Sequence, residues 1–214
     1  MGSRVIPSTE YRRTRWRNGL GWTREIATGR LPDSVPQVPG STADADWDWR
    51  LSIAEIDADV RFSEFPDIER ELVLLSGNGL RLHFDDGETR LLEPPYGRSH
   101  FAGERGLRGE LLDGPSRDFN LMWRRDRIAA QLLHRPLVGP MVLFVEPHDT
   151  WAVHLLAGQA RFADDSGLPA LAAADTAILQ AGTTRLRHVI DGGGEVLLLR
   201  MDPATETARP VAPA

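Results

Sequence analysis

Arginine, serine and asparagine occur at alternate positions within two otherwise apolar segments of the sequence. In residues 48–56, Arg50 and Ser52 alternate with tryptophan, leucine and isoleucine, and in residues 118–124 Asn120 lies between phenylalanine and leucine. Successive side chains of a β-strand point to opposite faces, so each segment predicts a strand with one polar and one apolar face. A guanidinium binds a carboxylate through paired hydrogen bonds, and neutral amides and hydroxyls fix its orientation. We therefore predict a binding site for a small anion, with Arg50 as the principal clamp.

A third segment, residues 16–26, places two glycines and Asn18 between two tryptophans. Glycine at such positions permits a tight turn or a close approach of the backbone. Arg17 is the second candidate for the anion clamp, and alternation puts Thr23 and Glu25 on one strand face. A solvated sheet face has the same alternation and is the alternative to a pocket. The predicted ligand-binding residues are Arg17, Asn18, Thr23, Glu25, Arg50, Ser52 and Asn120.

Two carboxylates lie close to these polar positions in the sequence. Glu25 and Glu55 have three roles open to them. They can accept a hydrogen bond from a ligand nitrogen, neutralise a neighbouring arginine, or act as the general base of an enzyme. Neutralisation is the commonest of the three, so these residues are candidate catalytic groups only if the protein is an enzyme.

The residue types offer little support for metal or cofactor chemistry. Cysteine and lysine are both absent, which excludes disulfides, thiolate metal sites, Schiff bases and the lysine-dependent phosphate loop. The six histidines are isolated from one another, and no His-x-His pair occurs. Hydrolase, zinc-protease and dinucleotide-binding motifs are also missing. We expect neither a metal nor a cofactor.

The charge balance limits the partners. The chain has 31 acidic residues and a net charge of −6, whereas nucleic acids and anionic membranes bind clustered positive charge. We expect the protein to bind a small anionic ligand and to bind neither nucleic acid nor membranes. A homodimer is a possible oligomeric state. The N-terminus lacks the apolar core of a secretory signal, and no apolar run approaches the roughly 18 residues of a membrane span. The expected location is the cytoplasm.

Short apolar runs separated by Gly, Asp and Pro predict an all-β fold. Two pairs of similar short segments suggest that the fold contains two copies of one unit. Leu-Leu-Ser-Gly at residues 74–77 corresponds to Leu-Leu-Ala-Gly at residues 155–158, and Leu-Asp-Gly at 112–114 corresponds to Ile-Asp-Gly at 190–192. Both pairs have an offset of about 80 residues, which indicates two copies of one β-barrel in tandem, with chance similarity between turns as the alternative.

The predicted domain boundaries follow from this duplication. The first barrel, with the N-terminal strands, is placed at residues 1–134, and the second barrel at residues 135–202. Residues 203–214 are rich in proline and alanine and are predicted to form a flexible tail.

Four motifs, taken in order, resemble those of the HutD family, which also includes the Ves proteins. They are Trp-Arg-Asn-Gly-Leu-Gly-Trp-Thr-Arg-Glu at residues 16–25, Asp-Trp-Arg-Leu-Ser-Ile-Ala-Glu at 48–55, Phe-Ser-Glu-Phe-Pro-Asp at 62–67 and Asp-Gly-Pro-Ser-Arg-Asp-Phe-Asn-Leu-Met at 113–122. The resemblance continues into the second half of the chain, although its strongest motifs lie in the first.

The resemblance implies a bicupin fold, with two RmlC-like jelly-roll barrels packed as one unit and no bound metal. It also implies an association with histidine utilisation, in a regulatory rather than an established catalytic role. The sequence departs from the family pattern at Arg17, where the family usually has lysine, and at Leu20, where it has glycine. Arginine keeps the charge but is bulkier and planar, so the ligand or its pose is expected to differ from the family norm.

Three functional hypotheses result. The first, which we prefer, is a metal-independent protein that binds a small anionic carboxylate and regulates histidine utilisation. Under this hypothesis the protein is not an enzyme. The second is a metal-free cupin enzyme, an isomerase or hydrolase of a small carboxylate, with Glu25 or Glu55 as its base. The third is a scaffold for a protein partner, with the polar faces exposed to water.

Overall fold

The computed structural model describes residues 2–16, 18–30 and 46–204. Within these ranges the chain forms β-strands, two short 3-10 turns (Ser8–Glu10 and Asp164–Ser166) and no α-helix, so the predicted all-β class is confirmed. Among the described residues, no helix has the length and apolar character needed to cross a membrane.

Seventeen strands follow one another along the described residues. The first eleven are β1 Arg4–Ile6, β2 Arg12–Arg15, β3 Gly21–Gly29, β4 Trp49–Ile56, β5 Val60–Arg61, β6 Ile68–Ser76, β7 Leu80–Phe84, β8 Thr89–Leu92, β9 Arg98–Ala102, β10 Leu107–Leu111 and β11 Ser116–Arg124. The remaining six are β12 Ile128–Val138, β13 Met141–Val145, β14 Thr150–Phe162, β15 Leu171–Ala172, β16 Thr176–Gln180 and β17 Leu186–Pro203.

The strands group into two compact units. Among the described residues, the first unit contains 12–16, 18–30 and 46–127, and the second contains 2–11 and 128–204. The division thus falls between Arg127 and Ile128, a few residues before the boundary expected from the sequence, and β1 joins the second unit. Of the tail predicted at residues 203–214, residues 205–214 lie outside the described residues.

The first unit consists of two antiparallel sheets. Its six-stranded sheet has the order β2-β3-β4-β11-β6-β9, and its four-stranded sheet has the order β5-β10-β7-β8. Leu72 and Leu74 of β6 share one buried cluster with Leu80 and Leu82 of β7, because alternate residues of these strands point inward. The sheets therefore form an open sandwich, which fits the cupin jelly roll although neither sheet closes into the barrel that was predicted.

The second unit is a seven-stranded antiparallel sheet in the order β1-β16-β14-β17-β12, with β13 beside β17 and β15 beside β14. Val153 and Leu155 of β14 are buried with Val196 and Leu198 of β17. The duplicated Leu-Leu-x-Gly segments behave alike in the two units. Each produces a break in strand register, against Arg117 and Asp118 in the first and between Leu155 and Ala157 in the second.

Candidate functional site

Polar residues lie in register across one face of the six-stranded sheet. Arg12, Glu25, Ser52, Asn120 and Leu72 form one row, each directly opposite the next on β2, β3, β4, β11 and β6. Side chains that are opposite in an antiparallel sheet lie on the same face, about 4.5–5.5 Å apart at Cβ. The sheet thus brings together residues from segments that are distant in the sequence.

A second row lies beside the first on the same face. In it Arg50 of β4 is opposite Met122 of β11, which is opposite Arg70 of β6. The two arginines are therefore separated by one strand. They are close enough for the positive charge of Arg50 to lower the pKa of Arg70.

The two rows border a cavity of about 510 Å³. A segment that follows β5 provides another wall, through Phe62, Ser63 and Phe65. Of the residues predicted from the sequence, five line this cavity: Asn18, Thr23, Arg50, Ser52 and Asn120. None of the described residues that line it is acidic.

Arg50 is fixed by Glu25. Its Nε donates to Oε2 of Glu25 at 2.9 Å, its Nη1 contacts Sδ of Met122 at 4.0 Å, and the residue lines the cavity. Glu25 itself lines a smaller adjoining cavity of about 260 Å³, which shares Arg50, Trp16 and Thr23 with the larger one. Glu25 therefore positions the predicted clamp, and it lies beside the main cavity.

Arg70 was not among the predicted site residues. Its side chain is buried, with only 5% of the residue exposed, and the described residues place no carboxylate within ion-pair distance of it. Among the described residues, its side chain makes one hydrogen bond, from Nη1 to the carbonyl oxygen of Ser63 at 3.3 Å. The guanidinium carbon lies 5.5 Å from the ring centres of Phe62 and Phe65 and 5.3 Å from that of Phe101.

The environment of Arg70 is electrostatically costly. Burial, and to a smaller extent the charge of Arg50, lowers the pKa of Arg70 from its ordinary value to about 10. A guanidinium with that pKa still carries its charge at neutral pH. Cation–π contacts offset part of the lost hydration, but a buried charge normally has a counter-charge as well.

Two buried polar side chains line the cavity, and one of them has unused hydrogen-bonding capacity. Ser52 is 2% exposed and Asn120 is 7% exposed. The amide oxygen of Asn120 is buried and has no hydrogen-bond partner among the described residues. Such groups are normally satisfied by protein, water or ligand.

Trp16 and Asn18, which precede β3, also line the cavity. Trp16 donates from Nε1 to Oγ1 of Thr23 at 2.8 Å, and the side chain of Asn18 accepts from the backbone N–H of Leu20 at 3.0 Å. A Cβ on Gly21 would lie 2.4 Å from the carbonyl oxygen of Glu55, so glycine is needed there for close approach. Arg17, the second predicted clamp, lies outside the described residues.

Glu55 lies away from the cavity. Its carboxylate accepts from Nε and Nη2 of Arg13 at 3.0 and 2.6 Å and pairs with Arg24 at 2.6 Å. Burial acts to raise the pKa of Glu55, but the hydrogen bonds and charges of the two arginines outweigh it and hold the pKa below its ordinary value. The structure thus gives Glu55 the neutralising role among those left open by the sequence.

Asp118 is a further buried acid on the polar face of β11, two residues before Asn120. It is fully buried, its Oδ1 has no hydrogen-bond partner among the described residues, and its Oδ2 accepts from Oγ of Ser116 at 3.5 Å. Burial raises the pKa of Asp118 to about 7, although the hydroxyl of Ser116 acts in the opposite direction. It is not among the residues that line the cavity.

Comparison with known proteins identifies the family to which this arrangement belongs. The HutD family model matches residues 8–198. The chain belongs to the HutD family. The predicted resemblance to HutD and Ves proteins is therefore confirmed.

Several relatives of this HutD-family chain are known. A 21.2 kDa protein of Pseudomonas putida, described by its place in the hutC 3′ region, is 36% identical over 128 residues, which cover 60% of this chain and 62% of the relative. The protein Ves of Cronobacter sakazakii is 40% identical over 118 residues, 55% of this chain and 58% of the relative. The chain thus aligns with less than two thirds of the length of either.

Solved structures extend the comparison to the whole fold. HutD from Pseudomonas fluorescens SBW25, determined in a formate condition, is 25% identical, with a TM-score of 0.77 over 95% of this chain and all of that one. The pirin YhhW of Escherichia coli in complex with nickel(II) is 9% identical, with a TM-score of 0.63 over 95% of this chain and all of that one. The pirin likeness concerns the fold alone and supports the cupin class.

Proposed function

We propose that this HutD-family protein binds a small carboxylate in the 510 Å³ cavity, without a metal, and has a regulatory role in histidine utilisation. Arg70 carries the proposal. It is a buried guanidinium on a cavity wall with no carboxylate partner among the described residues. Such a group costs stability, and an anion that enters the cavity removes that cost.

The charges around the cavity support an anionic ligand. Four arginines line it: Arg15, Arg50, Arg61 and Arg70. Arg61 pairs with Asp85 and Glu64, and Glu25 offsets Arg50. Arg15 and Arg70 have no acidic partner among the described residues, so the cavity has a net positive charge.

The size and lining of the cavity favour a small organic acid over a bare inorganic ion. Its volume lies within the range of roughly 300–1,000 Å³ that is typical of small-molecule sites. Trp16, Phe62, Leu72 and Met122 supply an apolar surface next to the polar floor. A carboxylate head can bind Arg50 and Arg70 while a carbon skeleton contacts these residues.

The family supports the biological role in the proposal. One relative is described by its position in the hutC 3′ region. The carboxylates of histidine breakdown are therefore the first compounds to try.

The geometry favours binding over catalysis. Glu55 faces away from the cavity and is held by two arginines, and Glu25 is hydrogen-bonded to Arg50. A general base must reach the proton that it abstracts, and neither carboxylate lines the main cavity. If wild-type protein nevertheless turns over such an acid in an NMR assay, and Glu25→Gln abolishes the turnover, the enzyme hypothesis replaces the binding hypothesis.

Thermal unfolding with a panel of acids tests the proposal. The panel contains urocanate, N-formylglutamate, N-formiminoglutamate and histidine, each with and without a chelator. A ligand at a hundred times its dissociation constant adds about 2.7 kcal/mol to stability and raises the midpoint by roughly 5–10 °C in a protein of this size. A shift with at least one acid, unchanged by the chelator, is expected. No shift with any acid, or a shift that the chelator removes, contradicts the proposal.

A further inference from the structure

His188 is a buried histidine of the second unit whose ring makes no hydrogen bond to the part of the chain that the structure describes. It lies on β17 opposite Leu143 of β13, and only 7% of the residue is exposed. Both ring nitrogens, Nδ1 and Nε2, are buried and have no hydrogen-bond partner among the described residues. Buried polar atoms are normally paired, so an imidazole with two unpaired nitrogens requires a physical explanation.

The sheet around His188 offers an apolar surface to the ring. Alternation along β17 places His188 on the same face as Ile190, which belongs to the buried apolar cluster of this unit. The ring of Phe162 lies 6.3 Å away at an interplanar angle of 77°. β13 contains no charged residue, and Arg187 points to the opposite face of β17. These surroundings suit an uncharged imidazole and disfavour a protonated one.

An acidic turn passes beside the ring. β14 ends at Phe162, and the N–H of Ala163 then donates to the carbonyl oxygen of Val189 at 3.0 Å, which leads the chain past His188. The Asp164–Ser166 turn follows. Asp164 and Asp165 are exposed, and neither has an ion-pair partner in the described ranges. The charge of Asp165 acts to raise the pKa of His188, so this carboxylate lies within electrostatic range of the ring.

Other charges at this end of the unit are already paired. Arg185, just before β17, lies 3.0 Å from the carboxylate of Glu146 and stacks on the ring of Phe144 at 4.1 Å. Asp191 is paired with Arg161 at 3.5 Å. Asp165 is therefore the charged group that is available to His188.

The Asp164–Ser166 turn is held mainly by bonds within itself. Ser166 donates from its backbone N–H to the carbonyl oxygen of Ala163 at 2.9 Å, and the N–H of Leu168 donates to Oγ of Ser166 at 3.1 Å. Gly167 has a φ of 65°, which glycine adopts without strain. A surface segment with internal hydrogen bonds can move relative to the sheet at a small cost in free energy.

We propose that His188 and Asp165 form a proton switch in the second unit. At neutral pH the ring is uncharged and stays buried beside Phe162. When the ring takes up a proton at lower pH, the imidazolium forms an ion pair with Asp165, and the Asp164–Ser166 turn changes position with it. This switch is independent of the proposed carboxylate site, whose residues lie in the first unit.

Burial sets the direction of the switch. It lowers the pKa of His188 below the ordinary value of 6.5, and the smaller effect of Asp165 opposes it. The shift is smaller than that of His154, whose pKa falls to about 4. Below about pH 6.5 the unfolded chain binds this proton more readily than the folded chain, so the buried neutral ring becomes less favourable as pH falls. Pairing with Asp165 recovers part of that loss without global unfolding.

A pH titration followed by NMR tests the switch. The ring signal of His188 is assigned by its absence in His188→Gln. This signal and the backbone amide signals of residues 163–167 are expected to shift with one common midpoint below about pH 6.5. The amide transition is expected to disappear in His188→Gln. A ring that does not titrate in the folded protein, or amides that do not follow it, overturns the proposal.

The two neighbouring aspartates provide matched variants for the ion pair. Asp165→Asn removes the carboxylate that acts on His188, whereas Asp164→Asn removes the exposed carboxylate next to it. Asp165→Asn is expected to lower the midpoint of the ring titration by about 0.5 pH unit and to reduce the amide shifts. Asp164→Asn is expected to have a much smaller effect on both. Equal effects of the two substitutions, or no effect of Asp165→Asn, would exclude Asp165 as the partner.

Discussion

Arg50 and Arg70 occupy the same row of one sheet face, with Met122 between them, but Glu25 lies beside only one of the two. Arg50 has this carboxylate at 2.9 Å, whereas Arg70 is the more deeply buried of the pair and has aromatic rings and one carbonyl oxygen around it. The sheet therefore holds one oriented and one uncompensated guanidinium on the same cavity. This asymmetry is the physical basis of the proposed anion site.

Replacing Arg70 is expected to abolish carboxylate binding without lowering the free energy of unfolding. Arg70→Met removes a buried charge without a carboxylate partner, so the free energy of unfolding should stay the same or rise, while carboxylate binding is lost. Arg127→Met is the matched control, since Arg127 is also buried but pairs with the buried Asp48 at 2.6 Å. That variant should lose roughly 3–5 kcal/mol. Chemical denaturation of both variants measures the difference, and a large loss of stability in Arg70→Met would show that Arg70 is structural.

Glu25→Gln is expected to tighten carboxylate binding. The amide oxygen of glutamine can still accept from Nε of Arg50, but the negative charge that offsets the guanidinium is gone. A change of about 1 kcal/mol, or roughly fivefold in affinity, is expected for a partly exposed charge at this range. Calorimetric titration at low and high salt checks it. Weaker binding at both salt concentrations would mean that Glu25 contacts the ligand or is required in ionised form.

The alternation of polar and apolar residues along the strands predicts much of the candidate site. Alternation predicts that Arg50, Ser52 and Asn120 face away from the tryptophan and leucine side chains, and the structure places all three on one cavity. The same alternation puts Glu55 on the face of Leu51, where the structure has it paired with Arg13 and Arg24.

The role of Arg70 could not be predicted from the alternation of residues within its strand. Residues 68–72 alternate in burial, and Arg70 takes an inward position between Ile68 and Leu72. That pattern marks a charge inside the fold. It does not reveal whether an acid approaches from another strand, because β6 and β4 become near neighbours only through β11, which is far away in the sequence. Pairing between distant strands is a property of the tertiary fold, and a local pattern cannot supply it.

Asp118→Asn is expected to change the pH dependence of stability. Burial raises the pKa of Asp118 to about 7 in the folded chain, so the folded state keeps a proton that the unfolded state releases between about pH 4 and 7. Wild type therefore loses stability as pH rises through this window, by up to roughly 4 kcal/mol relative to the asparagine variant. Unfolding free energies of the two proteins at pH 5 and pH 8 check this. Parallel curves would contradict it.

His154, in the second unit, is expected to lower the stability of the protein as pH falls, which is the opposite pH dependence to that of Asp118. It is fully buried, its Nδ1 lies 2.9 Å from Oγ1 of Thr176, and burial lowers its pKa to about 4, against a weaker opposing effect of Asp175. The unfolded chain takes up a proton below about pH 6.5, so wild type loses stability as pH falls from there through 4. His154→Gln cannot be protonated and should lack up to roughly 3 kcal/mol of this loss. Equal acid sensitivity in both proteins would rule out His154 as the cause.

The most direct test of the central claim is calorimetric titration of the acid that gives the largest thermal shift, into wild type, Arg70→Met and the exposed-surface control Leu91→Lys. Wild type and the control are expected to bind with the same affinity, and Arg70→Met to bind at least 100-fold more weakly while remaining as stable as wild type. Unchanged affinity in a folded Arg70→Met would contradict the account, because the uncompensated guanidinium would then not be the group that receives the anion.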